Sequence, residues 1–159
     1  MNRVHLQMGL LMLLLGVLVY LTARPAETVP ELLAPLSVSY AISGDWKHFS
    51  NSIPTFAHTA AFILLMMALL KTRPRRAAVI CTLWLLLEAL FEVGQHEAVS
   101  ASFAAAVPDW WEELPGLQGT RGYFLRGTFD PLDLVSIGFG GLVAYFFILA
   151  EYVRRHNGH

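Results

Sequence analysis

Four stretches of the chain stay apolar for long enough to cross a bilayer as helices, at about residues 5–21, 53–70, 77–94 and 132–152. The crossing takes roughly 20 mostly apolar residues, because each adds about 1.5 Å and no backbone amide can go unpaired in lipid. Between these stretches the pattern changes in two ways. "KTRPRR" is short, basic and broken by Pro74, which predicts a tight hairpin between the second and third helices. Residues 22–52 and 95–131 are long and mixed, and long connections usually carry structure or function of their own. In the first, "ETVPELLAPLSVSYAISGDW" alternates apolar and polar positions and predicts a short helix lying in the interface. In the second, "DWWEEL" and "GYFLRG" supply the aromatic and charged residues that anchor chain at headgroup level. No repeat or low-complexity tract intervenes, so residues 1–159 read as one all-α, four-helix membrane domain with two elaborated connections.

Composition supports that reading. With 55% hydrophobic and 14% charged residues, the chain lacks the polar surface of a soluble domain its size. Its charges are also sorted. If the helices alternate, Arg3, Lys71, Arg73, Arg75, Arg76, Arg154 and Arg155 share one side, against Arg24, Lys47, Arg121 and Arg126 on the other. Basic loops stay in the cytoplasm, which predicts cytoplasmic termini and external long connections. The acids Glu27, Glu31, Asp45, Glu97, Asp109, Glu112 and Glu113 then lie outside, and nothing basic is left to favour nucleic acid. A cleaved signal peptide is the alternative for the first stretch, but Leu21 stands where cleavage after Ala23 needs a small residue. Cys81, the only cysteine, has no partner for an intrachain disulfide and reads as a small apolar residue.

Against this background "LEALFEVGQHEAV" is out of place, since a charge inside a bilayer costs at least about 2.5 kcal/mol. Spacings of three and four put Trp84, Glu88, Glu92, Gln95 and His96 on one stripe that should face the bundle interior. His58 in "IPTFAHTAAF" enters the second span at a similar depth, and "RGTFDPLDLVSIGFGG" brings Arg126, Asp130 and Asp133 to the same end. Together they predict a polar cavity open to the outer leaflet. Plainer roles compete. Asp130, Pro131 and Asp133 have the spacing of a helix start, with a cap, a first-turn proline and a dipole-favoured carboxylate. His96 and Glu97 can be solvated at a helix end, His58 can be a hydrogen-bonded core residue, and Gly138, Gly140 and Gly141 can serve close helix packing.

His58 in "TFAHTAAFILL", the Glu92-x-x-Gln95 pair, and Arg126, Asp130 and Asp133 before a glycine-rich last span resemble the VanZ-like family of small bacterial membrane proteins. The resemblance runs over roughly residues 53–145. This chain has Ile137 and Phe62 where the family usually has an asparagine and a tyrosine, a longer stretch from Gln95 to Asp133, and Arg126 one place further from Asp133. The resemblance implies a multi-pass protein of the bacterial plasma membrane, tied to the cell envelope and to glycopeptide susceptibility.

Three function classes follow. The first is binding of a lipid or lipid-linked envelope precursor, with Arg126 on an anionic headgroup, His58, Glu88, Glu92, Gln95 and His96 around its polar part, and Trp110 and Trp111 at the mouth. The second is hydrolysis or group transfer on a lipid-linked substrate, with His58, Glu92 and Asp133 as catalytic candidates and a divalent metal as a possible aid. No H-E-x-x-H sequence and no nucleophile beside an obvious base accompanies that reading. The third is a structural subunit whose buried acids pair with another membrane chain. Ion passage ranks last, because the cytoplasmic halves of the spans are apolar.

Overall fold

The computed structural model of the chain describes residues 1–23, 46–70 and 72–157, and of residues 46–51 the backbone alone. Among the described residues all regular structure is helical: α1 (Arg3–Ala23), α2 (Trp46–Leu69), α3 (Pro74–Val93), α4 (Ser100–Ala106), a 3-10 turn (Asp109–Glu113), α5 (Thr120–Arg126) and α6 (Pro131–Asn157). The interfacial helix expected in residues 22–52, and the charges Arg24, Glu27, Glu31, Asp45, Lys47 and Lys71, lie outside what is described.

Three helices are long and apolar enough to cross a membrane: residues 3–22 of α1, residues 52–69 of α2, and α6. Each exceeds the hydrophobic window that betrays it, because a helix needs paired backbone, not apolar side chains, to continue past the hydrocarbon. Thus α2 begins at Trp46, before the apolar run, and α6 runs on to Asn157 through Arg154 and Arg155, cations that its C-terminal carbonyls favour. In α3, Pro74 occupies the first turn after extended Arg73, where the missing N–H costs nothing, and Gly94 caps the other end.

The helices pack through small residues. Along α1, Gly9 lies over Ala61 and Leu65 of α2, and Gly16 over Ala57 and Pro54, so the two run antiparallel in close contact. Between α2 and α6 the closest approach is at Gly140, where an added Cβ would stand 2.6 Å from the Phe56 carbonyl oxygen. Gly141 sits under Leu85 of α3, whereas Gly138 faces open space and takes no part in this packing. The expected role thus holds for two of the three glycines. A core of Ala60, Ile63, Met67, Ala77, Cys81 and Ile148 joins α2, α3 and α6.

Asn2, Ala68 and Arg155 meet at one end of the bundle, called here the terminal end. At the opposite end, residues 95–130 fold back as a cap. Ala104, Val107 and Phe124 make its core, with Phe91, Phe103 and Trp111 around them. Gly94 lets it close, because a Cβ there would meet the Phe124 and Phe103 rings at 2.7 and 2.8 Å. Arg121 fastens the cap by donating to the Val107 carbonyl at 2.6 Å and pairing with Asp109 at 2.5 Å.

Candidate functional site

The extensive helix contacts are α1 with α2, α2 with α6, and α3 with α6. Since α1 and α3 are not among them, a space opens between these two over the face of α2, and a cavity of ≈ 920 Å³ occupies it. Its walls are Leu13, Gly16, Val17 and Tyr20 of α1, Pro54, Thr55, His58 and Phe62 of α2, and Trp84, Leu87, Glu88, Phe91 and Glu92 of α3. Ile137 of α6 reaches it, and Trp111, residues 116–120 and Tyr123 roof it from the cap. The α3 positions recur at three and four, which is one helical face.

Three of the expected site residues therefore meet in one cavity: His58, Glu88 and Glu92. His58 is exposed to it and sets its ring edge-on to Phe62, centroids 4.4 Å apart. Phe62 in turn lies 5.4 Å from the Trp84 ring. Glu88 accepts a hydrogen bond from the Thr59 hydroxyl through Oε2, while its Oε1 and the Trp84 Nε1 are buried without a hydrogen-bond partner among the described residues.

Glu92 is held differently. Only 6% exposed, it accepts the Asp130 backbone N–H on Oε1 at 2.8 Å and the Gln95 side-chain amide on Oε2 at 3.3 Å. The Gln95 amide also donates to the Tyr123 hydroxyl at 2.6 Å. One carboxylate thus joins the end of α3, the cap and the start of α6. Burial pushes the Tyr123 phenol up to about 12, helped by the negative charges of Glu92, Asp133 and Glu88, so it stays protonated at physiological pH.

The remaining expected residues stand outside the lining. Asp130 is the helix cap its sequence suggested, its Oδ1 accepting the Leu132 N–H at 2.9 Å, and half-buried Asp133 stands in the first turn of α6. The stripe stops short of His96, because α3 ends at Val93; exposed His96 instead accepts the Ala98 N–H at 3.2 Å and packs against Phe129. Arg126 is exposed in the last turn of α5 and folds back on the Gly122 carbonyl at 3.4 Å. In that position its charge complements the carbonyl end of its own helix rather than the cavity. Of the two tryptophans expected at the mouth, Trp111 lines the cavity and Trp110 is exposed at 58%.

A second polar cluster lies at the terminal end, and sequence reasoning passed over it. Glu151, 6% exposed, pairs with Arg154 at 2.8 Å and Arg155 at 2.6 Å. Arg155 also donates to the Asn2 Oδ1 at 2.8 Å, and the Asn2 Nδ2 lies 3.0 Å from the Nδ1 of fully buried His5. The i+3 and i+4 spacing of the arginines from Glu151 was readable. Their connection to Asn2 was not, since it spans nearly the whole chain.

Among the described residues, no group of three or more His, Cys, Asp and Glu side chains is placed to hold a metal ion. No family model, curated protein or solved structure matches the chain.

Proposed function

We propose that the chain is a four-span membrane protein whose cavity between α1 and α3 binds a membrane amphiphile drawn from the outer leaflet. The cavity itself carries this reading: at ≈ 920 Å³ it is of ligand-binding size, mostly apolar and aromatic, with a few polar groups. The apolar wall, with Leu13, Val17, Phe62 and Leu87, suits a tail, and His58, Glu88 and Glu92 offer polar contacts for a headgroup.

The fourth span is α3, which carries Arg75 and Arg76 in its first turn and two glutamates further on. Chain direction supports it. Since α2 ends at the terminal end and α6 starts at the cap end, a chain whose α1, α2 and α6 cross must cross once more between them. Leu83, Leu86, Leu87 and Leu90 are all more than 40% exposed on α3, a surface suited to lipid. With Arg3, Arg73, Arg75, Arg154 and Arg155 at the terminal end, that end is cytoplasmic. The VanZ-like resemblance belongs to the same proposal; of the residues that carry it, His58 and Glu92 share the cavity, and Gln95 and Asp130 both bond Glu92.

Catalysis is the weaker reading, because Glu92 is engaged by two donors and the hydroxyl beside Glu88, that of Thr59, is fully buried. A subunit role for the buried acids weakens likewise, since Glu92 and Glu151 find partners within the chain.

Native mass spectrometry of the protein released from membranes tests the proposal. Wild type should retain one amphiphile per chain, and His58→Trp, which puts an indole into the cavity, should lose it while unfolding at a similar temperature. An unchanged lipid complement in the filled variant would remove the basis for the cavity as a binding site.

A further inference from the structure

The polar end of the cavity has a sign. Among the described residues its lining contains two carboxylates, Glu88 and Glu92, and no lysine or arginine. Arg126, the cation that sequence offered for an anionic headgroup, lies outside it on the exposed side of α5. Asp133 adds negative charge close enough to act on Tyr123.

Aromatic faces surround the same place. Phe62 and Trp84 lie 5.4 Å apart beside His58, and Tyr20, Phe91 and Trp111 complete the wall. Aromatic faces attract cations, most strongly where water is excluded, and a carboxylate nearby adds to the attraction. A phosphate in this position would instead face carboxylates in a medium of low dielectric constant, with no lysine or arginine among the described lining residues.

We propose that the amphiphile this cavity takes is cationic, with an alkylammonium headgroup lodged between Glu88 and the Phe62 and Trp84 rings. This rests on the cavity reading above and gives it a chemistry. Glu88, in the cavity wall beside the Phe62 and Trp84 rings, supplies the carboxylate for the ammonium, while its Oε2 stays with Thr59. Glu92 contributes charge alone, since its oxygens are occupied by Asp130 and Gln95. Recognition is by charge and ring faces, so substituted ammonium groups suit it as well as a primary amine.

Three probes with one tail and different heads decide the matter: dodecyltrimethylammonium, dodecyl phosphate and dodecyl maltoside. Each is added below its micellar concentration to the protein in nanodiscs of zwitterionic lipid, with empty nanodiscs as the blank. The ammonium probe should bind about tenfold more tightly than either of the others, and Glu88→Gln should remove most of that margin. Equal or tighter binding of the phosphate, or a margin that survives Glu88→Gln, overturns the cationic headgroup. Sensitivity of all three probes to His58→Trp keeps the cavity reading separate: without charge preference it leaves the cavity standing and sinks only its chemistry. If His58→Trp leaves the ammonium probe bound as before, both fall.

Discussion

At the scale of single residues, Glu92 shows how a buried carboxylate can be tolerated. Burying such a charge is costly unless its oxygens are satisfied, and here both are, by the Asp130 N–H and the Gln95 amide. The side chain therefore works as a tie between the end of α3 and the start of α6, besides lining the cavity. Glu92→Ala strands the Asp130 N–H and the Gln95 amide, and should lower stability by about 2–3 kcal/mol. Glu92→Gln keeps an acceptor for Asp130 and should lose about half as much. Unfolding in detergent, followed by far-UV circular dichroism against denaturant, checks both; wild-type stability in Glu92→Ala would mean that the tie carries no load. Periodicity turns Glu92 toward the bundle interior, because it fixes which way a helical side chain faces. It could not place Gln95, which lies past the end of α3 at Val93, or Tyr123, whose place depends on how residues 95–130 fold back, and that stretch has no single period to read.

Among the elements, the glycines of α6 separate packing from permissiveness. The Gly140 position abuts the backbone of α2 at Phe56, and a carbonyl oxygen cannot rotate away as a side chain can. Gly140→Ala should force the two helices apart and cost about 1–3 kcal/mol, the usual range for overpacking. Gly138→Ala meets nothing within 4 Å and trades glycine for a better helix former, so it should be neutral or slightly stabilising. Paired thermal unfolding of the two variants makes the comparison, and a Gly140→Ala protein as stable as Gly138→Ala would contradict close packing at this crossing. Here lies the limit of legibility. The helices with their approximate bounds follow from hydropathy, and the glycine stripe follows from composition. Which glycine meets a neighbour depends on the rotation of α6 about its own axis, and that is set by Ala144 and Ile148 packing into α2 and α3. His96 and Arg126 stand outside the cavity lining for a related reason: spacing assigns a face only while the helix lasts, and α3 ends at Val93 while Arg126 belongs to a short helix of the cap.

For the whole molecule, the two ends of the bundle are chemically distinct, and the proposed orientation rests on that distinction. The terminal end gathers the arginines around the buried Asn2, His5 and Glu151 cluster, which links the first turn of α1 to the last of α6. The cap end carries Glu97, Asp109, Glu112 and Glu113 on exposed surface, with Trp110 beside them. Between the ends, Leu10, Leu14 and Leu18 of α1, Leu83 and Leu86 of α3, and Phe139 and Phe146 of α6 are more than half exposed, an apolar girdle that water would penalise and lipid accepts. An amphiphile can reach the cavity from that girdle, because α1 and α3 flank the opening and both turn leucines outward. Cys81 is 6% exposed, so the native thiol should stay silent toward a membrane-impermeant maleimide and single added cysteines should report cleanly. Ser102→Cys, at an exposed position on α4 of the cap, should react in intact cells, whereas Asn157→Cys, exposed at the end of α6, should react only after the membrane is opened. Labelling of Asn157→Cys in intact cells with Ser102→Cys protected would reverse the orientation and put the cavity mouth toward the inner leaflet. Labelling of both from outside would remove the crossing of α6 itself, since the two sites stand at opposite ends of the bundle.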